Sequence, residues 1–311
     1  MLSNSSIRRD GYGAQIQRIL SIKALANELG LRFQLNPIVS ADDQVTQVPL
    51  PVRERECEIL EINQYLAKIC NEGLYSITEL GDSSTAADTR ALFRILIFNL
   101  CRRTGSSPSI LIRMEDAYSF TQRNPELYNN LDIGCSTNCE DPSRKREVTI
   151  HVHLRYANFA LDTERYLDPE YYFKSLTSIV DSLELEGKKY RIILHSDFSD
   201  HEIIHQENQH QITQETSDYL YHLNLVENDF TPNRIYLDTA VSLTKEISAK
   251  FSNVEQRYNE STFEALIEMS SADYLVLSKS SFAFVAGVLN KNGKVFSPIY
   301  WNRIPRAWNS F

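Results

Sequence analysis

The chain has 311 residues, with 41 acidic against 32 basic side chains and a formal net charge of −9. Its 42% hydrophobic and 23% charged residues are those of a core-forming globular protein and argue against whole-chain disorder. The acidic balance argues against sequence-independent nucleic-acid binding, which needs a broad phosphate-neutralising surface.

In chain order, the first ten residues hold no apolar run, so no signal peptide is expected. Ile16, Ile19, Leu20, Ala24 and Leu29 recur at helical spacing, predicting a helix from Ala14 to Leu29 that Gly30 stops. A short strand, Leu31 to Leu35, follows. Helical patterns are expected over Glu58 to Cys70, Asp88 to Leu100, Pro169 to Leu185, Thr262 to Ser270 and Ser281 to Leu289. Strands are expected at Ser109 to Arg113, Val148 to Leu154, Tyr190 to His195, Arg234 to Leu237, Tyr274 to Leu277 and Lys294 to Phe296. Strands alternating with helices of this length imply βαβ units and parallel sheet. The most apolar stretches, Ala91 to Leu100 and Phe282 to Leu289, fall well short of the roughly 20 residues a membrane span needs. The five cysteines, 57, 70, 101, 135 and 139, are sparse and read as reduced thiols, with Cys135 and Cys139 the one close pair. A soluble cytoplasmic protein is expected, one that can also lie peripherally at a membrane carrying its substrate.

At about 100–200 residues per domain the length predicts two domains or one large α/β unit. The polar segment from Gly134 to Glu147, with Pro142 and the basic run Arg144, Lys145 and Arg146, marks the boundary. Two α/β halves are therefore expected, residues 1–143 and 144–311. Ligands of open α/β sheets sit beyond the carboxyl ends of strands, so the residues that follow strands are the ones to inspect.

Three places stand out. Gly11-Tyr12-Gly13 before a helix offers a tight turn and a helix N-terminus suited to an anion or a polar sugar. Ile16 stands where a dinucleotide fingerprint has its third glycine, no convincing strand precedes the loop, and no P-loop sequence occurs anywhere. From Val148 to Arg155, period-2 alternation puts Val148, Ile150, Val152 and Leu154 on one face and Thr149, His151, His153 and Arg155 on the other. Arg155 can clamp a diphosphate, because its planar fork stays charged and binds two oxygens at once. In the third, Leu277-Ser278-Lys279-Ser280-Ser281-Phe282, a strand passes through hydroxyls into an apolar helix. Ser280 or Ser281 can be a helix N-cap or a phosphate ligand. The strand Tyr190 to His195 similarly ends in Ser196-Asp197.

Taken together these segments resemble the fucosyltransferase superfamily. Asp10-Gly11-Tyr12-Gly13-Ala14-Gln15 resembles its Gly-x-Gly-Asn-Gln segment, and Val152-His153-Leu154-Arg155 its His-x-Arg-Arg motif. Leu194-His195-Ser196-Asp197 resembles its strand ending in Ser-Asp. Ala272-Asp273, the strand to Leu277, Ser278-Lys279-Ser280-Ser281-Phe282-Ala283-Phe284 and Leu289-Asn290-Lys291 resemble its C-terminal pattern. The second arginine is Tyr156 here, the tryptophan pair is Phe284-Val285, and the asparagine after Gly13 is Ala14. The resemblance implies a GT-B-like fold of two facing Rossmann-like domains with largely parallel sheets, residues 1–143 on the acceptor side and 144–311 binding the nucleotide sugar. It implies inverting, metal-independent transfer of a sugar, L-fucose from GDP-fucose, to a glycan or glycoconjugate acceptor. Arg155, His153 and Asp10 are then the catalytic residues, and Gly11, Gly13, Gln15, Arg155, Ser196, Asp197, Ser280, Ser281 and Phe282 the donor-binding ones. No cofactor, metal, nucleic-acid partner or transmembrane segment is expected. The absence of an Asp-x-Asp pair after a strand agrees with metal independence, because Asp197 and Asp200 have the wrong spacing. The general base is open among Asp10, Glu115, Asp116, His151 and His153.

Two other readings compete. His201-Glu202-Ile203-Ile204-His205 matches the His-Glu-x-x-His pattern of zinc metallopeptidases, with His210 or Glu215 as third ligand, but its flank is almost wholly polar. A non-catalytic nucleotide- or sugar-binding module shares every feature except turnover.

Overall fold

The computed structural model describes residues 2–4, 11–29, 31–38, 52–71, 112–114, 117, 121–122, 124–131, 147–155, 166–196, 241–258, 260–299 and 303–310. Among them the fold is mixed α/β, and every strand pairing is parallel. The chain divides into two compact units. Unit 1 takes Met1–Ala41, Val52–Ser136 and Trp301–Arg306; unit 2 takes Asp42–Pro51, Thr137–Tyr300 and Ala307–Phe311. The expected helix Asp88 to Leu100, the expected strand Arg234 to Leu237 and cysteines 101, 135 and 139 lie outside the described residues.

Unit 1 holds β1 (Leu2–Asn4), α1 (Tyr12–Glu28), β2 (Phe33–Gln34), α2 (Val52–Asn71), β3 (Ile112–Met114) and a 3₁₀ turn (Pro125–Asn130). Its sheet order is β2-β1-β3. A strand does precede the glycine turn, contrary to the reading from sequence: at three residues β1 is too short to show alternation. Leu2 anchors it against Ile22, Leu25, Ala26 and Ala117, with Leu29, Leu31 and Phe33 alongside. At the strand ends, Asn4 Nδ2 donates to the Asn36 carbonyl at 2.8 Å while Asn36 N donates to Asn4 Oδ1 at 2.8 Å, closing the two segments into a reciprocal clasp. Asn63 does the same for α2, bonding both backbone groups of Ile38 at 2.7 and 2.8 Å. Of the described cysteines, Cys57 is exposed and free; Cys70 is buried, and burial pushes its thiol up to about 12, an unreactive state.

Unit 2 holds β4 (Val148–Leu154), α3 (Pro169–Leu185), β5 (Tyr190–Ser196), α4 (residues 241–250), β6 (Val254–Tyr258), α5 (Thr262–Ser270), β7 (Tyr274–Val276), α6 (Ser281–Leu289), β8 (Lys294–Ser297) and β9 (Asn309–Ser310). The sheet order is β6-β5-β4-β7-β8-β9. The chain therefore starts in the middle, winds out to one edge, returns to the centre and winds out to the other. Local chemistry explains the longest described helix of this unit. Asp168 caps α3 by accepting from Glu170 N at 2.8 Å, Pro169 supplies the preset φ of its first residue, and Gly187 at φ 64 ends it. The amides of Gly187 and Lys188 then bond back to the carbonyls of Glu184 and Leu183, satisfying the exposed helix end.

The alternation read in β4 is kept. Ile150, Val152 and Leu154 enter a core with Ile192 and Leu194 of β5, Tyr172, Leu176 and Ile179 of α3, Leu243 and Ile247 of α4, and Val276 and Phe296. Being central, β4 is covered on its other face too: His151 and His153 are both buried. At the opposite end of the sheet Asp273 Oδ2 accepts from Thr149 N at 2.8 Å and Thr149 Oγ1 at 3.1 Å, pinning β4 to β7. Asn290, at the C-terminus of α6, donates to the Ala272 carbonyl at 2.9 Å and accepts from Gly293 N at 2.7 Å. This turn leaves no room at Gly293, where a Cβ would stand 2.0 Å from the Ala272 carbonyl oxygen. Gly293→Ala is thus expected to lower stability by about 1–3 kcal/mol, the usual cost of overpacking. Chemical denaturation checks this, and an unchanged midpoint would contradict it.

Candidate functional site

The winding of unit 2 reverses between β4 and β7, which pair directly, and such a switch point opens a crevice at the carboxyl ends of the strands. Two side-chain contacts close over that edge. His153 Nδ1 lies 2.7 Å from Ser278 Oγ, both residues buried, and Arg155 Nη1 donates to Ser280 Oγ at 2.9 Å. The same Ser280 oxygen caps α6 by accepting from Phe282 N at 3.2 Å. The Phe282 ring rests 5.8 Å from the His153 ring, centroid to centroid. Arg155 is thereby held beside the positive end of a helix. Cation and helix N-terminus repel one another, and an anion seated on both relieves the repulsion.

Of the residues singled out from sequence, Arg155, His153, Ser280, Ser281 and Phe282 converge on this edge. Gly11, Gly13 and Gln15 belong to unit 1. Gly11 is the N-cap of α1, which opens at Tyr12, so Gly13 and Gln15 lie in its first turn instead of in a preceding loop. Ser196 ends β5, but it shares the alternation of Ile192 and Leu194, the face that packs on α3 and α4, and its buried Oγ has no hydrogen-bond partner among the described residues. Asp10, Asp197, Glu115, Asp116 and Tyr156 lie outside the described residues, as do His201, Glu202 and His205.

A second polar cluster, of which the sequence offered His151 and His195 but not their partners, crosses the buried face of the same sheet. His151 Nδ1 and His195 Nε2 are 2.8 Å apart, with the rings stacked at 5.1 Å. His195 Nδ1 lies 2.8 Å from Glu260 Oε2. Arg257 joins Glu255 at 2.6 Å, Glu260 at 3.3 Å and, more closely, Glu268. Burial works to raise the Glu260 carboxyl, but the hydrogen bonds and charges of His195 and Arg257 hold it below the ordinary carboxylate range. His151, His195 and Glu268 bring three potential ligand atoms within 4.8 Å of one another.

Both strand-β4 imidazoles are neutral at pH 7. Burial, followed by the charges of His195, Arg257 and Arg191, pushes His151 down to about 3; burial, then Arg155 and His195, pushes His153 down to about 3. A base that weak accepts a substrate proton poorly, so His153 suits holding Ser278 better than general-base work. The same depression gives a pH signature. An imidazole whose pKa falls on folding takes its proton first in the unfolded chain, so its stability contribution is complete above about pH 6.5 and is lost as pH falls towards about 3. Between pH 7 and 5 His153 is expected to account for about 2 kcal/mol of lost stability. Urea titrations at both pH values, on the wild type and His153→Gln, isolate that part; an equal loss in the two proteins would contradict it.

No helix among the described residues is long and apolar enough to cross a membrane. No protein-family model, no curated protein and no solved structure matches the chain.

Proposed function

We propose that the chain is a metal-independent, inverting glycosyltransferase whose two α/β units are the Rossmann-like domains of a GT-B enzyme, with the nucleotide sugar bound by unit 2. The observation that carries this reading is the hydrogen bond from Arg155 to Ser280, which joins a guanidinium to the N-cap of α6 at the switch point of a parallel sheet. That arrangement suits a diphosphate. The resemblance of the β4, β5 and β7 segments to fucosyltransferase motifs adds the donor class, with GDP-fucose first. Unit 1 is then assigned the glycan acceptor, and Gly11, Gly13 and Gln15 keep the donor-binding role that the resemblance gives them.

In the reaction, an acceptor hydroxyl attacks the anomeric carbon from the side opposite the diphosphate. The new carbon–oxygen bond forms as the sugar–phosphate bond breaks, and the bonding pair leaves with the nucleoside diphosphate. The hydroxyl proton passes to a carboxylate, for which Asp10, Glu115 and Asp116 remain the candidates once His151 and His153 are set aside as weak bases. Arg155 and the first amides of α6 receive the charge that builds on the leaving oxygen.

A thermal-shift series with GDP, UDP, ADP and CMP tests the reading. GDP is expected to protect most, by about 2.7 kcal/mol at one hundred times its dissociation constant. A UDP preference overturns the fucosyl donor. No response to any nucleotide overturns the glycosyltransferase.

A further inference from the structure

Beyond the phosphate edge, the geometry points to a zinc-class divalent metal site on the buried face of the unit-2 sheet, with His151, His195 and Glu268 as ligands. The three side chains come from β4, β5 and α5, and their ligand atoms lie within 4.8 Å of one another. Two imidazoles and one carboxylate form a donor set for zinc or another divalent transition metal, whereas magnesium and calcium prefer oxygen alone. Two nitrogens about 2.1 Å from one ion stand about 3.4 Å apart when the ion is tetrahedral, as zinc is, and about 3.0 Å apart when it is octahedral. His151 Nδ1 and His195 Nε2 are 2.8 Å apart, so small ring movements admit the ion between them.

The surroundings are those of a ligand set already oriented. A carboxylate can only accept, so Glu260 draws the proton of His195 to Nδ1 and leaves the lone pair of a neutral ring on Nε2. Carboxylates so placed behind a histidine ligand fix its tautomer and strengthen its bond to metal. His151, which shares its Nδ1 with His195 in the absence of an ion, presents that nitrogen once its own proton sits on Nε2. Glu268 is turned by Arg257, and each of its oxygens keeps a further lone pair. Charge points the same way. Glu255, Glu260 and Glu268 surround Arg257, leaving a formal charge of −2 that one divalent cation cancels; Arg191, which also reaches Glu255, is matched by Glu147. Access is through Glu268, whose side chain is 37% exposed, while both imidazoles are buried. The site departs from the metal-free expectation read from the sequence. It is independent of the proposed sugar transfer, since none of its ligands touches Arg155 or Ser280 in the contacts described above.

Cobalt(II) titration of chelator-stripped full-length protein, followed by its visible d–d bands and by metal analysis, tests the assignment. The wild type is expected to bind one equivalent with imidazole-type bands. Glu268→Gln and Glu260→Gln are expected to bind more weakly, about 10–100-fold for the second, and His195→Ala not at all. His201→Ala, in the other histidine motif, and Arg155→Ala are expected to bind as the wild type does. Glu268→Gln alters a partly exposed side chain and keeps the test open if a histidine variant does not fold. The assignment is overturned if the wild type binds no equivalent, or if binding survives in both Glu268→Gln and His195→Ala. Loss of binding in His201→Ala alone moves the ion to that motif and overturns it equally. The nucleotide thermal shifts, run on metal-free protein, fail or succeed separately.

Discussion

On the proposed function, replacing Arg155 with alanine is expected to slow sugar transfer about 10²–10³-fold, the usual cost of losing one donor aimed at developing charge. The guanidinium stands one residue beyond β4 and donates to the N-cap hydroxyl of α6 at 2.9 Å. A departing nucleoside diphosphate gains charge as the glycosidic bond breaks, so a cation there favours the transition state over the bound donor. Turnover therefore falls further than donor affinity. Arg155→Lys keeps the charge and loses the fork, and its loss is expected to be smaller. An arginine with no role in binding predicts otherwise: a stability change under about 0.5 kcal/mol and normal turnover. Turnover, donor affinity and melting temperature of both variants decide the matter. A folded alanine variant that keeps more than about a third of wild-type turnover, against that expected loss, would remove Arg155 from the phosphate site.

The largest expected stability effect is at Phe284. Phe284→Ala is expected to cost about 3–5 kcal/mol, the range for truncating a buried aromatic ring. The ring is 1% exposed in a helix whose residues from Ala283 to Leu289 are all buried, and it meets Trp308 edge-on at 5.4 Å. Collapse cannot readily fill the gap, because Trp308 is already as close to α6 as its partner allows: a Cβ on Gly287 would stand 2.7 Å from the indole. Urea denaturation measures the loss, and one below about 1.5 kcal/mol would show that the tail repacks.

The elements most legible in the sequence were those with complete local signals. Pro169–Leu185, Thr262–Ser270 and Ser281–Leu289 are helices over the residues their periodicity marks. Strands β1, β6 and β9 were not read. The first and last have three and two residues, and β6 carries Glu255, Gln256 and Arg257 in place of an apolar run. The polar face of β4 was legible as a face but not as a buried one, since an edge strand and a central strand under a polar cluster alternate alike. Arg155, Ser280 and Phe282 could be named from their places after strands. The cluster around His195 could not: Glu260 lies 65 residues on and Arg257 sits in the unread strand, so no spacing joins them. A histidine within an otherwise apolar strand, as His151 and His195 both are, was the one available signal.

The return of the chain to the centre of the unit-2 sheet also sets a timetable. Arg155 and Ser280, which meet at the carboxyl edge of the sheet, are 125 residues apart. At about 5–20 residues per second, a ribosome that has finished β4 works for roughly 6–25 s before it delivers the serine. During that interval β4 can pair with β5, while the flank reserved for β7 has no neighbour and its backbone groups stay open to other chains. The nascent protein is thus open to mispairing at β4, the strand that leads directly into Arg155.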